Sequence, residues 1–310
     1  MRKCEHPEHQ AEPRWITYDI PAPHVARITL NRPERRNAQD THLLYELNDA
    51  FNRASADNDV KVIILAANGP HFSSGHDMGE ENRLDAMDQW QTVGTWCGFG
   101  CAGAEAQMAR EKELYIGFSE RWRNLSKPTI AAVQGKCISG GLMLAWPCDL
   151  IIASDDAQFM DNTINMGISG AEFFVHPLEL GVRQAKEFLF TAEFIDAHEA
   201  WRLGMVNKVV PRDQLAEATL KLAKTIAQKP AFALKLVKEA VNAVQDASGR
   251  VSGMNTAFAL HQLCHTHNLQ QYGMLVDPGF AAQAKGVSDT MKRAANALEG
   301  NVGGDKSAAG

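Results

Sequence analysis

The chain has no run approaching the roughly 20 apolar residues that a helix needs to cross a bilayer. Its start, MRKCEHPEHQAEP, lacks the apolar core of a secretion signal and the arginines of a transit peptide. A cytoplasmic protein without membrane partners is therefore expected. Basic residues are the minority: 31 Lys and Arg stand against 37 Asp and Glu, a net charge of −6. That balance argues against a nucleic-acid binder, which would carry a basic face. Cysteines are few: Cys4, Cys97, Cys101, Cys137, Cys148 and Cys264 lie scattered, so reduced thiols are expected rather than a disulfide scaffold. No serine sits in a Gly-x-Ser-x-Gly elbow, which weakens Ser139 and Ser169 as hydrolase nucleophiles.

What is present is an ordinary globular balance, 45% hydrophobic and 22% charged over 310 residues. VARITL (25–30), VKVIILAA (60–67), PTIAAVQG (128–135), DLIIAS and AQFM read as strands. Between the first two, Leu43, Leu44, Leu47, Ala50, Phe51 and Ala54 form a helical stripe. From about 183 onward helices dominate: RQAKEFLFT, DAHEAWRLG with Asp196 as N-cap and Gly204 as stop, then runs at 212–228, 231–247 and 254–271. Strand–helix alternation followed by a helical tail predicts an α/β fold. The terminal NVGGDKSAAG reads as disordered. HQLCHTH places His261 and His265 one helical turn apart beside Cys264, but no carboxylate completes a metal set nearby in sequence, so no metal is expected and the histidines read as surface residues.

CISGGLMLAWPCDL (137–150) puts Gly140 and Gly141 between a buried strand and an apolar helix. Backbone N–H groups at a helix start have no internal partner, and glycine lets a ligand come close to them. Neither Walker nor dinucleotide spacing is expected anywhere in the chain, which leaves an oxyanion hole or tight helix–strand packing for the pair. It does not stand alone, because FSSGHDM (72–78) offers a second glycine-flanked loop after a strand. Together LNRPERRNAQ (30–39), FSSGHDM, KPTIAAVQGKCISGGLMLAWPCDLIIAS (127–154), AQFMDNTINMG (157–167) and HEAWRLGMVNKVV (198–210) resemble the enoyl-CoA hydratase/isomerase superfamily, the crotonases, in order over residues 25 to about 245. The resemblance implies a spiral of ββα units over 14–225, a helical oligomerisation region over 226–297 and a disordered tail over 298–310. It implies an acyl-CoA thioester substrate, no cofactor beyond the coenzyme A of that substrate, and a homotrimer or hexamer.

By the same resemblance the thioester oxygen is held by the backbone N–H groups of His76 and Gly140. The His76 side chain is expected to face the nucleotide or solvent, with a catalytic imidazole as the alternative. Arg35 and Arg36 approach the CoA phosphates, and Ser74, Asp77 and Met78 line the coenzyme; Lys285 and Lys292 are available near the C-terminus. Hydratases of the family need two glutamates, and here those positions are Met143 and Thr163. A conventional two-glutamate hydratase is therefore not expected. Three residues are candidates for the proton chemistry. Glu172, in AEFFV, lies where relatives carry a working carboxylate, and aromatic neighbours would desolvate it. Glu111 and Tyr115 share a face of one long helix over 104–125, against the plain reading of a solvated charged face. The glycine-rich VGTWCGFGCAGAEA before that helix reads as a lid. The functions implied are hydration, isomerisation or hydrolysis of an unusual acyl-CoA, or alternatively non-catalytic acyl-CoA binding.

Overall fold

The computed structural model describes residues 13–304, except 82, 85, 88–89, 95–96, 171 and 285–286. Ile16–Ala22 (β1), Val25–Leu30 (β2), Val62–Ala67 (β3), Thr129–Val133 (β4), Leu150–Ser154 (β6) and Lys208–Val210 (β9) form one sheet in the order β1-β2-β3-β4-β6-β9. Lys136–Ile138 (β5), Gln158–Met160 (β7) and Ile195–Asp196 (β8) form a second, smaller sheet. The chain steps repeatedly from the large sheet to the small one and then into a helix, as in β4–β5 and β6–β7. This is the expected α/β architecture of ββα units. Apart from the antiparallel β1–β2 hairpin the large sheet is parallel, with Val25 opposite Val62 and Ile130 opposite Leu150. Its central strands are buried on both faces, which is why VIILAA and TIAAV read as nearly continuous apolar runs. Strand β1 escaped the sequence reading because it is an edge with a largely exposed face, and ITYDIPA has no clean alternation.

The first helix, Thr41–Ala56 (α1), begins at Asp40, whose carboxylate accepts from the Leu43 N–H at 2.8 Å. It buries the predicted stripe from Leu43 to Ala54 against the main core. Ala104–Glu111 (α2) passes through a π-helical turn, Lys112–Gly117, into Phe118–Arg123 (α3), so the long helix expected over 104–125 carries one widened turn. Gly140–Ala145 (α4) follows β5 directly. His176–Leu180 (α5) and Val182–Thr191 (α6) precede Ala197–Leu203 (α7), which is capped by Asp196 and stopped at Gly204 with φ +89° as read from the sequence. Leu215–Ala227 (α8) covers the far side of the large sheet through Ala223 and Ala227. Ala231–Ala247 (α9), Arg250–Tyr272 (α10), Pro278–Gln283 (α11) and Asp289–Gly304 (α12) complete the described chain.

The tail from residue 298, read as disordered, begins within α12, which runs to Gly304; residues 305–310 lie outside the described residues, as does Lys285. One reading of the sequence needs correction. The segment Gly98–Gly103 has the spacing G-x-G-x-x-G, but the preceding strand ended at Ala67, so the strand–turn–helix context of a dinucleotide loop is missing. No described helix is long and apolar enough to cross a membrane.

Candidate functional site

Two loops at the ends of β3 and β5 build the floor of the site, and one glutamine fastens them together. The Gln39 amide donates to the Gly140 carbonyl at 2.8 Å and to the Ser73 hydroxyl at 3.1 Å. Ser73 in turn donates to the Asn37 carbonyl and accepts from the Gly75 N–H. Gly75 has φ +90°, and a Cβ there would sit 2.9 Å from the Ile138 carbonyl oxygen, so only glycine lets the loops approach this closely. Ser139, just before α4, is held at φ +43°. Its hydroxyl donates to the Asn162 side chain at 2.7 Å and its N–H to the Met160 carbonyl at 2.8 Å. Strain of this kind persists where surrounding contacts over-determine the backbone. Among the described residues, neither the His76 nor the Gly140 N–H donates a backbone hydrogen bond. Two spare donors on adjoining loops are what a developing oxyanion would use.

The His76 side chain departs from the expectation that it faces nucleotide or solvent. It turns inward, so that a Cβ added at Gly140 would meet ring atoms Cε1 and Nε2 at 2.8 and 2.9 Å. The ring stacks on Tyr115 with centroids 4.2 Å apart, and its Nε2 lies 3.2 Å from the Glu172 carboxylate. Glu172 is 6% exposed. Phe173, at φ +46°, turns the chain so that its own ring enters the core while Glu172 meets the imidazole. The carboxylate therefore faces a basic partner and not the purely apolar box expected from AEFFV. Tyr115 is buried within the π-helical turn, a feature common at functional sites. Burial pushes its phenol well above the ordinary range, although the nearby Arg110 guanidinium acts in the opposite direction. Glu172, His76 and Tyr115 thus converge over Gly140.

Met143 and Thr163, where the resemblance places the family's two glutamates, are engaged elsewhere. Met143 is fully buried in the main core. The Thr163 hydroxyl donates to Asp161 at 2.6 Å. Asp161, 2% exposed, also meets His176 Nε2 at 3.0 Å. Burial alone would raise the Asp161 pKa, but the His176 contact and the threonine hydrogen bonds hold it below the usual aspartate range. Sequence reasoning missed Gln39, Asp161 and His176, although each lies in a stretch that had drawn attention, His176 four residues after Glu172.

Glu111 is buried at 2% exposure, which overturns the solvated-face reading of its helix. It does not join Glu172. His261 and His265, 1% and 6% exposed, bring Nε2 atoms to 3.4 and 3.3 Å from its two oxygens. These histidines are not surface residues, and the carboxylate missing from their neighbourhood in sequence arrives from α2. Burial would raise Glu111, but the two imidazoles hold it well below the usual range. Burial would lower His261, but Glu111 and the Ser169 carbonyl lift it to about 9.

Arg35 and Arg36, expected from the resemblance to approach the CoA phosphates, are exposed on the turn after Pro33. Ser74 joins them through its N–H to the Arg36 carbonyl. Asp77 is bound to Arg32 at 2.8 Å and caps the Gly79 N–H, and Met78 packs with the α11–α12 cluster, so both support the loop. The glycine-rich segment expected as a lid is tied down at one end, where Glu113 accepts from the N–H groups of Val93 and Gly94. A surface cavity lined by Arg27, Ala66, Gln134 and Arg212 lies under α8, away from this constellation.

A sequence profile described as enoyl-CoA hydratase/isomerase matches residues 22–96 and 99–276. EchA13 of Mycobacterium tuberculosis, provisionally named an enoyl-CoA hydratase, is 43% identical over 272 residues, 84% of each chain. A crystal structure from Mycobacterium smegmatis, provisionally titled an enoyl-CoA hydratase, is 47% identical and superposes with a TM-score of 0.76 over 84% of this chain and 98% of its own. An enoyl-CoA hydratase/isomerase structure from Xanthobacter autotrophicus Py2 is 29% identical, with a TM-score of 0.71 over 93% and 97% of the two chains. Set beside the linked glycine loops and the ββα architecture, these likenesses establish that the chain belongs to the enoyl-CoA hydratase/isomerase family.

Proposed function

We propose that the protein binds an acyl-CoA thioester and moves a proton on its acyl group through Glu172, paired with His76. The observation that carries this reading is the convergence of Glu172, His76 and Tyr115 over Gly140. The His76 and Gly140 N–H groups would hold the thioester oxygen and take up enolate charge, a contribution worth ~10²–10³ in rate per donor. Glu172 would take the proton, and His76 would orient the carboxylate and share the charge. Tyr115, flat against the imidazole, fixes the ring plane and excludes water from one side. With Met143 and Thr163 at the usual acid positions, the route differs from a two-glutamate hydratase, and its acyl group is an unusual one. Arg35 and Arg36 would meet the CoA phosphates, a task suited to guanidinium. Free thiols at the five described cysteines suit a reducing cytoplasm.

Hydrogen–deuterium exchange at Cα of bound acyl-CoA thioesters, read by mass spectrometry, tests the assignment without knowledge of the natural substrate. Exchange is expected in the wild type and should fall ~10²–10⁴-fold in Glu172→Gln, the range for one general base. Persistent exchange in that variant would move the base elsewhere. Absence of exchange in the wild type across a broad thioester panel, with binding retained, would favour the alternative of a non-catalytic acyl-CoA binder.

A further inference from the structure

We propose that Glu111, His261 and His265 form a binding site for one zinc-like divalent transition-metal ion, which clips α10 to α2. Helical spacing puts His261 and His265 on one face of α10, and α2 brings a single carboxylate against them. All three side chains are more than nine-tenths buried, and their ligand atoms lie within 4.8 Å of one another. The oxygen–nitrogen separations of 3.3 and 3.4 Å are informative. Two ligands at about 2.1 Å from a tetrahedral centre are about 3.4 Å apart, so these edges already have metal-site dimensions.

The outer partners argue the same way. His261 Nδ1 faces the Ser169 carbonyl and His265 Nδ1 faces the Leu275 carbonyl. A carbonyl can only accept, so each imidazole places an N–H there and turns Nε2 toward Glu111. This is the arrangement by which metal-binding histidines are fixed. His261 Nε2 is buried without a hydrogen-bond partner, because its contact with Glu111 is poorly aligned for a proton to bridge the two atoms. A contact of this length and alignment suits a metal ion held between the two atoms better than a proton bridging them. The carboxylate is steadied by the amides of Gln107 and Gln262, and Arg83 donates to the Gln107 oxygen at 3.0 Å, fixing which way that amide points. Two imidazoles and one carboxylate favour zinc or a similar first-row ion over magnesium or calcium. Three protein ligands leave a fourth position for water or another small donor.

Cobalt(II) titration of the chelator-treated full-length protein tests this independently of any activity, so its failure leaves the acyl-CoA reading untouched. The expected result is visible d–d absorption that saturates at one equivalent, is displaced by zinc, and raises Tm by mass action. His261→Gln and His265→Gln should each weaken binding more than the roughly 10–100-fold typical of an outer-shell change. His267→Gln, an exposed position on the same helix, should leave it unchanged. Circular dichroism identifies any variant that fails to fold, and Glu111→Gln then serves in its place. No saturable cobalt spectrum, or one indifferent to His261, His265 and Glu111, would overturn the site.

Discussion

The imidazole of His76 stacks on the phenol of Tyr115 at 4.2 Å and 16° between ring planes, while its Nε2 reaches Glu172 at 3.2 Å. One residue therefore offers the site a backbone N–H and a side chain, and substitution separates the two. His76→Ala keeps the backbone donor, so acyl-CoA affinity should change little. Proton exchange at Cα should fall by ~10²-fold or more, because Glu172 loses the group that orients it. His76→Gln should restore part of the rate, since its amide can still hydrogen-bond the carboxylate. Equal loss of affinity and exchange in both variants would show that the side chain only supports the loop.

Gly140 predicts a different failure. A Cβ there would press on the His76 ring at 2.8 Å and on the Gln39 amide oxygen at 3.1 Å. The conflict is with side chains over the glycine, so Gly140→Ala should displace His76 before it disturbs the backbone turn. Crystallography of that variant should find the ring rotated away from Glu172. Calorimetry with acetyl-CoA should show weakened binding, and Gly140→Val should abolish it. Unchanged affinity in the valine variant sinks the oxyanion-hole assignment.

Crotonyl-CoA tests the proposal that Met143 and Thr163 replace the family's two acids. With buried Met143 and the Asp161-bound Thr163 in their place, water has no pair of carboxylates to hold it. General acid and base groups supply ~10²–10⁴ each. Hydration by the purified protein should therefore run orders of magnitude below that of a two-glutamate relative. A robust rate that survives Glu172→Gln would refute the proposed route.

How much of this was legible in the sequence follows physical lines. Local signals held: the Asp196 cap, the Gly204 stop and the apolar strands of the parallel sheet need only nearby residues to be read. The glycine loops were legible as motifs, and Glu172 and Tyr115 were named on position alone. Contacts between distant segments were not legible. Glu111 lies 150 residues from His261, and nothing local says that α10 folds its histidines onto α2. The inward turn of His76 depends on Tyr115 arriving in a π-helical turn, which no periodicity announces. Asp161 was hidden by attention to its neighbour Thr163, whose side chain merely serves it.

Asp161 supplies a pH prediction. Its folded pKa is depressed, so its stabilisation is present above the unfolded value of about 3.9 and is lost as pH falls through the lower folded value. Asp161→Asn should therefore lower stability near neutrality by about 3 kcal/mol, the low end for breaking a buried pair. The deficit against wild type should shrink steadily below about pH 4. Thermal melts of both proteins between neutral and acid pH check the sign. A deficit that grows on acidification would mean that Asp161 is held protonated in the folded state.

The last prediction concerns self-association. On α9 the side chains of Phe232, Leu236, Val237, Val241 and Val244 are 53–72% exposed and spread over one half of the helix, with Val237, Val241 and Val244 close together on it. Leu260 and Leu263 on the following helix are similarly bare. A solitary soluble chain rarely leaves so large an apolar stripe uncovered. Another copy of the same chain is the partner that the family resemblance implies, and closed symmetry would bury the stripe on every copy. Light scattering should thus give a trimer or hexamer mass for the wild type. Val237→Asp combined with Val241→Asp would place two charges where apolar contact is needed and should yield smaller species. Monomeric scattering from the wild type at micromolar concentration, or an unchanged mass in the double variant, would remove this face from the interface.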